Sequence, residues 1–136
     1  MARVVNVSHE PCDVYVGRAH AGRPESPWGN PYRIEADPSA RLYRIHVRGS
    51  DGRWREYTAT HSKQLAVYSL MRFYRIHVER ELGNRLPELI GKRLGCWCAP
   101  GPCHANVLVQ LLVDRGLDVR DPDPQLGLEL GERRAP

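Results

Sequence analysis

The sequence has no hydrophobic run that approaches the ~18 residues needed to span a bilayer. Its first residues, MARVVNVSHE, also lack the apolar stretch and the small-residue cleavage site of a secretory signal peptide. We therefore expect a cytoplasmic protein with no membrane partner. In a reducing compartment, cysteines are more typical of free, metal-bound or catalytic thiols than of disulfides. The four cysteines are Cys12, Cys96, Cys98 and Cys103.

Several familiar catalytic and nucleic-acid-binding signatures are also missing. The chain has no Gly-Lys-Ser/Thr element of a P-loop, no paired carboxylates and no Ser-His-Asp order. It has no block of Lys and Arg, no zinc-finger spacing and no aromatic RNA-binding signature. These absences exclude a P-loop site and leave open whether the protein is an enzyme.

What the sequence does contain is the composition of one globular domain with an excess of arginine. Of its 136 residues, 41% are hydrophobic and 26% are charged, so a core can form without a metal or a disulfide. The formal net charge is +4, which suits an anionic partner, although a solvated face has the same composition. The arginines recur at Arg41, Arg44, Arg48, Arg53, Arg55, Arg72, Arg75 and Arg80.

We expect a single domain over residues 1–120 and a partly mobile tail over 121–136. The tail, DPDPQLGLELGERRAP, has three prolines and no aromatic residue. It therefore offers little apolar surface to bury. The sequence predicts no particular oligomeric state.

Turn residues and side-chain alternation divide the first half of the domain into strands. Short β-branched runs at 4–7 and 13–17 predict core strands, and a loop broken by prolines and glycines follows at 18–32. Two alternating runs, 41–47 and 54–60, flank a Ser-Asp-Gly turn and predict a β-hairpin.

After the hairpin, the apolar spacing becomes that of a helix. It predicts a helix over 62–82, and a second helix, 103–115, follows a short inner strand, KRLGCWC. The pentapeptide YRIHV occurs twice, and its surroundings place the copy at 43–47 in a strand and the copy at 74–78 in the helix. We therefore expect an α/β fold: a single small domain with a mixed, mostly parallel sheet, flanking helices and an inserted β-hairpin at about 41–60.

One stretch, GCWCAPGPCHANVLVQLL, contains three of the four cysteines and one histidine, the side chains best suited to metal binding or catalysis. On a strand, Cys96 and Cys98 share one face, so the first interpretation is two small buried side chains. A second interpretation is a zinc site of Cys96, Cys98, Cys103 and a distant fourth ligand, either Cys12 or a histidine.

The third interpretation concerns Cys103 and His104 at the start of the second helix. Free N–H groups and the helix dipole favour phosphate or carboxylate there. The same field would lower the pKa of Cys103, so we predict Cys103 as nucleophile and His104 as proton carrier if the protein is an enzyme. Because successive helical residues diverge by about 100°, the two should not share a metal ion, and we predict no metal and no other cofactor.

Three motifs occur in a fixed order: VYVGRAH, SPWGNPY and LPELIGKRLGCWCAPGPCHANVLVQLL. They resemble the Y-x-G-R, S-x-W-G-N-P and C-W-C-x-P-x-x-C-H elements of a small phage and bacterial family, domain of unknown function DUF4326. The resemblance covers about residues 13–113 and implies no established activity. The chain departs from it by the hairpin and by Ala105, where glycine is usual. The matching positions are Tyr15, Gly17, Arg18, Ser26, Trp28, Gly29, Asn30, Pro31, Cys96, Trp97, Cys98, Pro100, Cys103 and His104.

We expect a ligand pocket where these motifs meet, because ligands of open α/β sheets lie beyond the carboxyl ends of the strands. Arg18 would pair with phosphate, Trp28 would stack on a base or ribose, and Asn30 would read a base edge or an amide. Cys103 and His104 would form the other wall. The alternative for Trp28 and Asn30 is a loop pinned by a buried indole and an Asx-turn. The predicted ligand-binding residues are Tyr15, Gly17, Arg18, Ser26, Trp28 and Asn30.

The sequence therefore predicts binding or processing of a small nucleotide-like, phosphate-bearing ligand between the WGNP loop and the Cys103 helix. A phage accessory protein that sequesters a nucleotide signal would match this prediction, and the phage connection comes only from the resemblance. One alternative is a basic nucleic-acid-binding module that uses the Arg-rich hairpin and helix. The other alternative is a zinc-stabilised interaction domain.

Overall fold

The structure, a computed structural model, describes residues 1–98 and 103–118. The predicted tail, the predicted domain boundary at residue 120 and Pro100 of the third motif lie outside these residues. The elements within them are β1 (Arg3–Asn6), β2 (Val14–Tyr15), β3 (Tyr32–Asp37), β4 (Leu42–Arg48), β5 (Trp54–Thr60), α1 (Lys63–Glu81), a 3₁₀ helix (Gly83–Leu89), β6 (Arg93–Cys96) and α2 (His104–Asp114).

The first sheet is parallel, and β6 is its middle strand. β1 pairs with β6 from Arg3 opposite Arg93 to Asn6 opposite Cys96, and β2 pairs with the other edge of β6 at Val14 opposite Leu94. The chain reaches β6 only after the whole second sheet and α1. This sheet therefore joins the first residues of the chain to the third motif.

The second sheet is antiparallel, in the order β3-β4-β5. Arg33 lies opposite His46, and Arg48 lies opposite Trp54, so all four belong to one face of the sheet. The sheet packs on α1, where Phe73 contacts the rings of Tyr32 and Tyr57. One face is thus apolar and packed, and the other carries charge.

Local capping accounts for the helix ends. Ser62 is the N-cap of α1, and its side chain accepts a hydrogen bond from the Leu65 N–H at 3.1 Å. Cys103 is the N-cap of α2, and Gly116 follows α2 in the left-handed region at φ +69°. Among the described helices, none combines the length and hydropathy needed to cross a membrane.

The main core lies between the parallel sheet and the two helices. α2 packs on β1 and β6, and α1 packs on α2 and on the antiparallel sheet. The largest fully buried side chains of this cluster are Val16, Tyr74, Val78, Leu86, Leu89, Leu94, Leu108, Leu111 and Leu112. The predicted α/β class is confirmed.

Four details differ from the sequence-based expectation. The mixed sheet is two separate sheets, and the predicted hairpin is part of a three-stranded sheet whose first strand, β3, was not predicted. The strand predicted at 13–17 is only Val14–Tyr15, because the chain turns at Gly17. Finally, α2 begins at His104, with Cys103 outside the helix.

Candidate functional site

The Y-x-G-R motif forms a turn at the end of β2. The Tyr15 hydroxyl donates a hydrogen bond to the Arg18 carbonyl oxygen at 2.5 Å and accepts one from Trp97 Nε1 at 2.9 Å. Gly17 lies under the Tyr15 ring, where a Cβ atom would collide with the phenol. Glycine therefore lets the tyrosine clamp the backbone from which the Arg18 side chain starts.

The S-x-W-G-N-P motif forms a loop whose polar side chains bond to the loop's own backbone. The Ser26 N–H donates to the Gly17 carbonyl at 3.1 Å, and Ser26 Oγ accepts from the Trp28 N–H at 3.0 Å. Asn30 Oδ1 accepts from the Tyr32 N–H at 2.9 Å, which makes an Asx-turn. The Trp28 side chain belongs to the core and is 2% exposed. The structure thus favours the pinned loop over stacking of Trp28 on a ligand.

His104 connects the third motif to the first two. Its Nε2 lies 2.6 Å from the Val16 carbonyl oxygen and donates to it, because a carbonyl can only accept. The ring meets Tyr74 edge to face at 5.0 Å, and the Tyr74 hydroxyl donates to the Trp28 carbonyl at 2.5 Å. All three sequence motifs therefore meet around the turn at residues 15–18.

The Cys103 thiol lies in surroundings that favour its protonated form. It is 2% exposed, and hydrogen bonds with Cys96 and Cys98, together with burial, raise the pKa of Cys103. The expectation that the helix field would lower this pKa is wrong, because the thiol turns toward the other cysteines. Burial lowers the pKa of His104, whose Nδ1 lies 3.9 Å from Cys103 Sγ. A catalytic role for Cys103 and His104 stays a prediction.

Three sulfur atoms come together at the end of β6. Cys96 Sγ lies 2.9 Å from Cys103 Sγ and 3.8 Å from Cys98 Sγ, and all three lie within 4.8 Å of one another. We refer to Cys96, Cys98 and Cys103 as the cysteine cluster. Cys12 lies on the other face of β6, against Gly95, and so takes no part in this cluster.

Three arginines converge on one indole at the charged face of the antiparallel sheet. The guanidinium carbons of Arg18, Arg33 and Arg48 lie 5.4, 4.4 and 5.6 Å from the centre of the Trp54 ring. Cation–π attraction holds guanidinium groups at such distances. Arg33, Arg48 and Trp54 come from the sheet, and Arg18 comes from the Y-x-G-R turn. We refer to these four residues as the arginine cluster.

The arginine cluster holds more positive than negative charge. Glu25 pairs with Arg48 at 2.5 Å, and no carboxylate in residues 1–98 or 103–118 forms an ion pair with Arg18 or Arg33. Arg33 Nε is buried and has no hydrogen-bond partner in the same part of the chain. Burial lowers the pKa of Arg18; Glu25 opposes this shift, and the charges of Arg33 and Arg48 add to it.

The other end of the same face is neutralised. Arg44 lies 3.1 Å from an Asp37 carboxylate oxygen and 2.6 Å from a Glu56 carboxylate oxygen. These hydrogen bonds raise the pKa of Arg44, with Glu56 as the larger cause. On this face of the sheet, the excess of positive charge is therefore local to the arginine cluster.

The part of the chain that builds this site matches a known family. The family model for a domain of unknown function, DUF4326, matches residues 2–114. The chain belongs to this family. The curated "Uncharacterized protein R718" of Acanthamoeba polyphaga mimivirus is 28% identical over 112 residues, 74% of this chain and 66% of that protein. The chain thus spans slightly less than two thirds of this relative's length. No solved structure matches the chain.

Of the arginine cluster, only Arg18 lies in one of the three sequence motifs. Sequence reasoning missed Arg33, Arg48 and Trp54 as site residues, because strand register brings them together. A partial signal was present, because Arg48 and Trp54 lie on either side of the Ser-Asp-Gly turn of the predicted hairpin. The strands of the predicted hairpin therefore contribute directly to the site.

A cleft of about 510 Å³ opens beside Arg48 and the S-x-W-G-N-P loop. Its volume falls within the range of small-ligand pockets. Part of its wall is the Glu25 side chain that pairs with Arg48. The lining residues are Glu25, Ser26, Pro27, Gly29, Pro31, Arg48, Gly49, Ser50 and His77.

A second cavity, of about 410 Å³, lies between α1 and α2. Its wall includes Met71, Val107 and Cys103, and it is mainly apolar. Arg75 reaches this cavity, but its guanidinium already pairs with Asp114 at 2.8 Å. Of its two arginines only Arg72 forms no ion pair within residues 1–98 and 103–118, so the cavity offers an anion less charge than the arginine cluster does.

Proposed function

We propose that the protein binds a small phosphate-bearing ligand, of nucleotide type, at the arginine cluster. The proposal rests on the convergence of Arg18, Arg33 and Arg48 on Trp54. The contacting carboxylate is Glu25, which pairs with Arg48. Like charges held together repel one another, and an anion between them removes that repulsion. Phosphate also matches the guanidinium group, whose parallel N–H donors bind two oxygens at once.

The turn and the loop hold this site in a fixed arrangement. Tyr15 clamps the Arg18 backbone, and Arg18 Nη2 donates to the Tyr32 carbonyl at 3.4 Å. A side chain that is held in place before binding loses less conformational entropy when the ligand arrives. The cleft beside Arg48 leaves room for the rest of a nucleotide.

The proposed site differs in one wall from the pocket predicted from the sequence. That pocket joined Arg18 to the start of α2, but Cys103 turns toward Cys96, and His104 bonds to Val16. In the proposal, the arginines of the sheet replace the start of α2 as the anion contacts. The other motif residues shape the backbone that carries Arg18.

A small ligand agrees better with the charge distribution than a nucleic-acid strand does. A strand needs unpaired cations along a track. Outside the cluster, several arginines already have carboxylate partners: Arg44 with Glu56 at 2.6 Å, Arg55 with Asp51 at 2.6 Å and Arg75 with Asp114 at 2.8 Å. The cluster offers donors and charge without an activated nucleophile. We therefore propose that the protein holds its ligand, as a sequestering protein does.

A screen by thermal denaturation tests the proposal. Inorganic phosphate and nucleoside mono- and diphosphates are added to the full chain, with the parent nucleosides as controls that lack only phosphate. We expect phosphate compounds to raise the melting temperature, because ligand at a hundred-fold excess over its dissociation constant stabilises the native state by about 2.7 kcal/mol. The proposal fails if no phosphate compound acts, or if nucleosides act equally.

A salt titration then separates the small-ligand function from the nucleic-acid alternative. Binding of a strand through six or more phosphates would weaken about 10³-fold between 50 and 200 mM salt, whereas a ligand with one or two phosphates should lose about tenfold or less. An oligonucleotide measured in parallel gives the comparison. Tighter and more salt-dependent binding of the oligonucleotide would favour the nucleic-acid module.

A further inference from the structure

We propose that the cysteine cluster binds one thiophilic divalent metal ion, with zinc as the ion expected in the cell. The cluster offers three sulfur ligands, Cys96, Cys98 and Cys103, within reach of one point. Soft thiolate ligands select zinc-class ions over magnesium and calcium, which prefer oxygen. This site is separate from the arginine cluster, and the inference does not rest on ligand binding there.

The spacing of the sulfur atoms suits a shared ion. Thiolates that lie about 2.3 Å from a tetrahedral zinc ion lie about 3.8 Å from one another. Cys96 and Cys98 show this separation, at 3.8 Å, while the Cys96–Cys103 pair is closer, at 2.9 Å, and the third pair lies within 4.8 Å. Small side-chain movements would therefore bring all three sulfurs to bonding distance of one ion.

The backbone explains why the thiols converge. Cys96 ends β6, and Cys98 follows it by two residues, so an extended chain places both on one side. Cys103 has an extended backbone, at φ −146° and ψ 139°, and precedes the helix. Its side chain turns back toward the strand, while His104 bonds to the Val16 carbonyl.

This geometry removes the reason for predicting no metal. That prediction treated Cys103 and His104 as helical neighbours competing for one ion. In the structure, Cys103 is the N-cap, and its thiol joins two other thiols without needing the histidine. The ligands are therefore three cysteines, with a fourth position left to another group.

Metal binding at this cluster would be a proton-releasing exchange. Each S–H bond is replaced by a sulfur–metal bond, and the three protons pass to solvent. A divalent ion with three thiolates carries one net negative charge. Neither the sulfur nor the metal changes its oxidation state, so no oxidant or reductant is needed. Cys96 and Cys103 are buried and shield the ion, and Cys98 is exposed and gives the ion a path of entry.

Metal analysis of the full chain tests the proposal. The protein is purified under reducing conditions without chelator, and its metals are measured by mass spectrometry. We expect about one zinc per chain. Cys98→Ser is the test variant, because the exposed position tolerates the change, and its metal affinity should fall by more than the ~10–100-fold typical of losing an outer-shell partner. Cys12→Ser, on the other face of β6, is the matched control and should keep its zinc.

Cobalt(II) gives a second measurement that needs no variant. Cobalt bound by the cluster should show sulfur-to-metal charge-transfer absorption and the visible bands of tetrahedral coordination, and added zinc should abolish both. A full chain that contains no zinc and gives no thiolate bands with cobalt would overturn the proposal. Full zinc retention by Cys98→Ser, or a Cys96–Cys103 disulfide in the reduced preparation, would also overturn it.

Discussion

The cysteine cluster and the arginine cluster differ in how far they are removed from water. Cys96 and Cys103 are enclosed in the core at the end of the parallel sheet. A neutral thiol costs little to bury, so it can lie among leucines. The arginines on the antiparallel sheet remain partly exposed, because a guanidinium group keeps its charge and its desolvation is costly.

This difference separates what the two regions contribute. The parallel sheet supplies part of the main apolar core, on which stability depends. The antiparallel sheet holds charge close to solvent, where a ligand can reach it. Changes to the buried side chains of the parallel sheet should therefore alter stability, and changes to the arginine cluster should alter binding.

The largest effect is expected at Leu94, in the middle strand of the parallel sheet. Leu94→Ala removes a fully buried side chain and should lower the free energy of unfolding by about 2–5 kcal/mol, through lost burial and a cavity. Leu65→Ala, at a position on α1 that is 51% exposed, is the control and should change it by less than about 0.5 kcal/mol. Urea denaturation measures both, and equal losses would contradict the assignment of stability to the parallel sheet.

The next effect is on binding, at the arginine cluster. Arg18→Ala should weaken binding of the phosphate compound found in the screen by about 1.5–3 kcal/mol, the range for hydrogen bonds to charged groups. The melting temperature of the Arg18→Ala variant without ligand should change little. Arg44→Ala removes an arginine of the same sheet face that is already paired, and it should leave binding unchanged. If Arg18→Ala unfolds the protein, or if both variants bind equally weakly, Arg18 is a structural residue.

A smaller effect is expected at Tyr74, which links the S-x-W-G-N-P loop to the start of α2. Its hydroxyl bonds to the Trp28 carbonyl, and its ring contacts His104. Tyr74→Phe keeps the ring and removes only the hydroxyl, so stability should fall by about 1 kcal/mol, the net value of one hydrogen bond. Calorimetry and phosphate binding are measured together. An unchanged melting temperature would show that this link does not stabilise the loop.

The smallest effect is expected from an exposed ion pair in each sheet. Hydrogen bonds from the side chain and backbone of Arg93 lower the pKa of Asp13 to about 2. The Arg55 side chain and the Arg53 backbone N–H lower the pKa of Asp51 to about 2 in the same way. The pKa of each carboxyl group in the folded protein lies below the ordinary 3.8. Its contribution to the stability of the fold is therefore complete above about pH 4 and is lost as the pH falls toward 2.

Asparagine at either position should therefore flatten the acid dependence of the melting temperature. Asp13→Asn should also lower the melting temperature slightly at neutral pH, because Asp13 ties the start of β2 to β6 across 80 positions of sequence. Asp51→Asn removes a contribution that is also present at neutral pH, but its pair spans only four residues, so its melting temperature should fall less. Thermal melts from neutral pH downward measure both, and identical curves would show that the span of the pair is unimportant.

Most of the element order was predictable, because the signals are local. The two YRIHV copies show the limit of local reading: one is in β4 and the other in α1, and only the residues around them decide which. β3 has the alternation of a strand in YRIEAD. The prolines before it extended the loop prediction over its first residue, Tyr32.

The candidate site was less predictable, because its geometry depends on contacts between distant residues. Arg33 and Arg48 meet Trp54 only through the register of the antiparallel sheet. The direction of the Cys103 side chain depends on the backbone of a single N-cap residue, which the sequence pattern does not specify. That one direction changes the pKa of Cys103 from lowered to raised.

The middle position of β6 also sets the order in which the chain can complete its fold during synthesis. β1 and β2 pair only with β6 among the described strands, so both lack a partner until residues 93–96 have left the ribosome. The antiparallel sheet pairs neighbours in sequence and can form while synthesis continues. A nascent chain that stops before residue 93 therefore exposes two unpaired strand edges, which favour aggregation. Four residues, Arg93–Cys96, pair with both strands in one step.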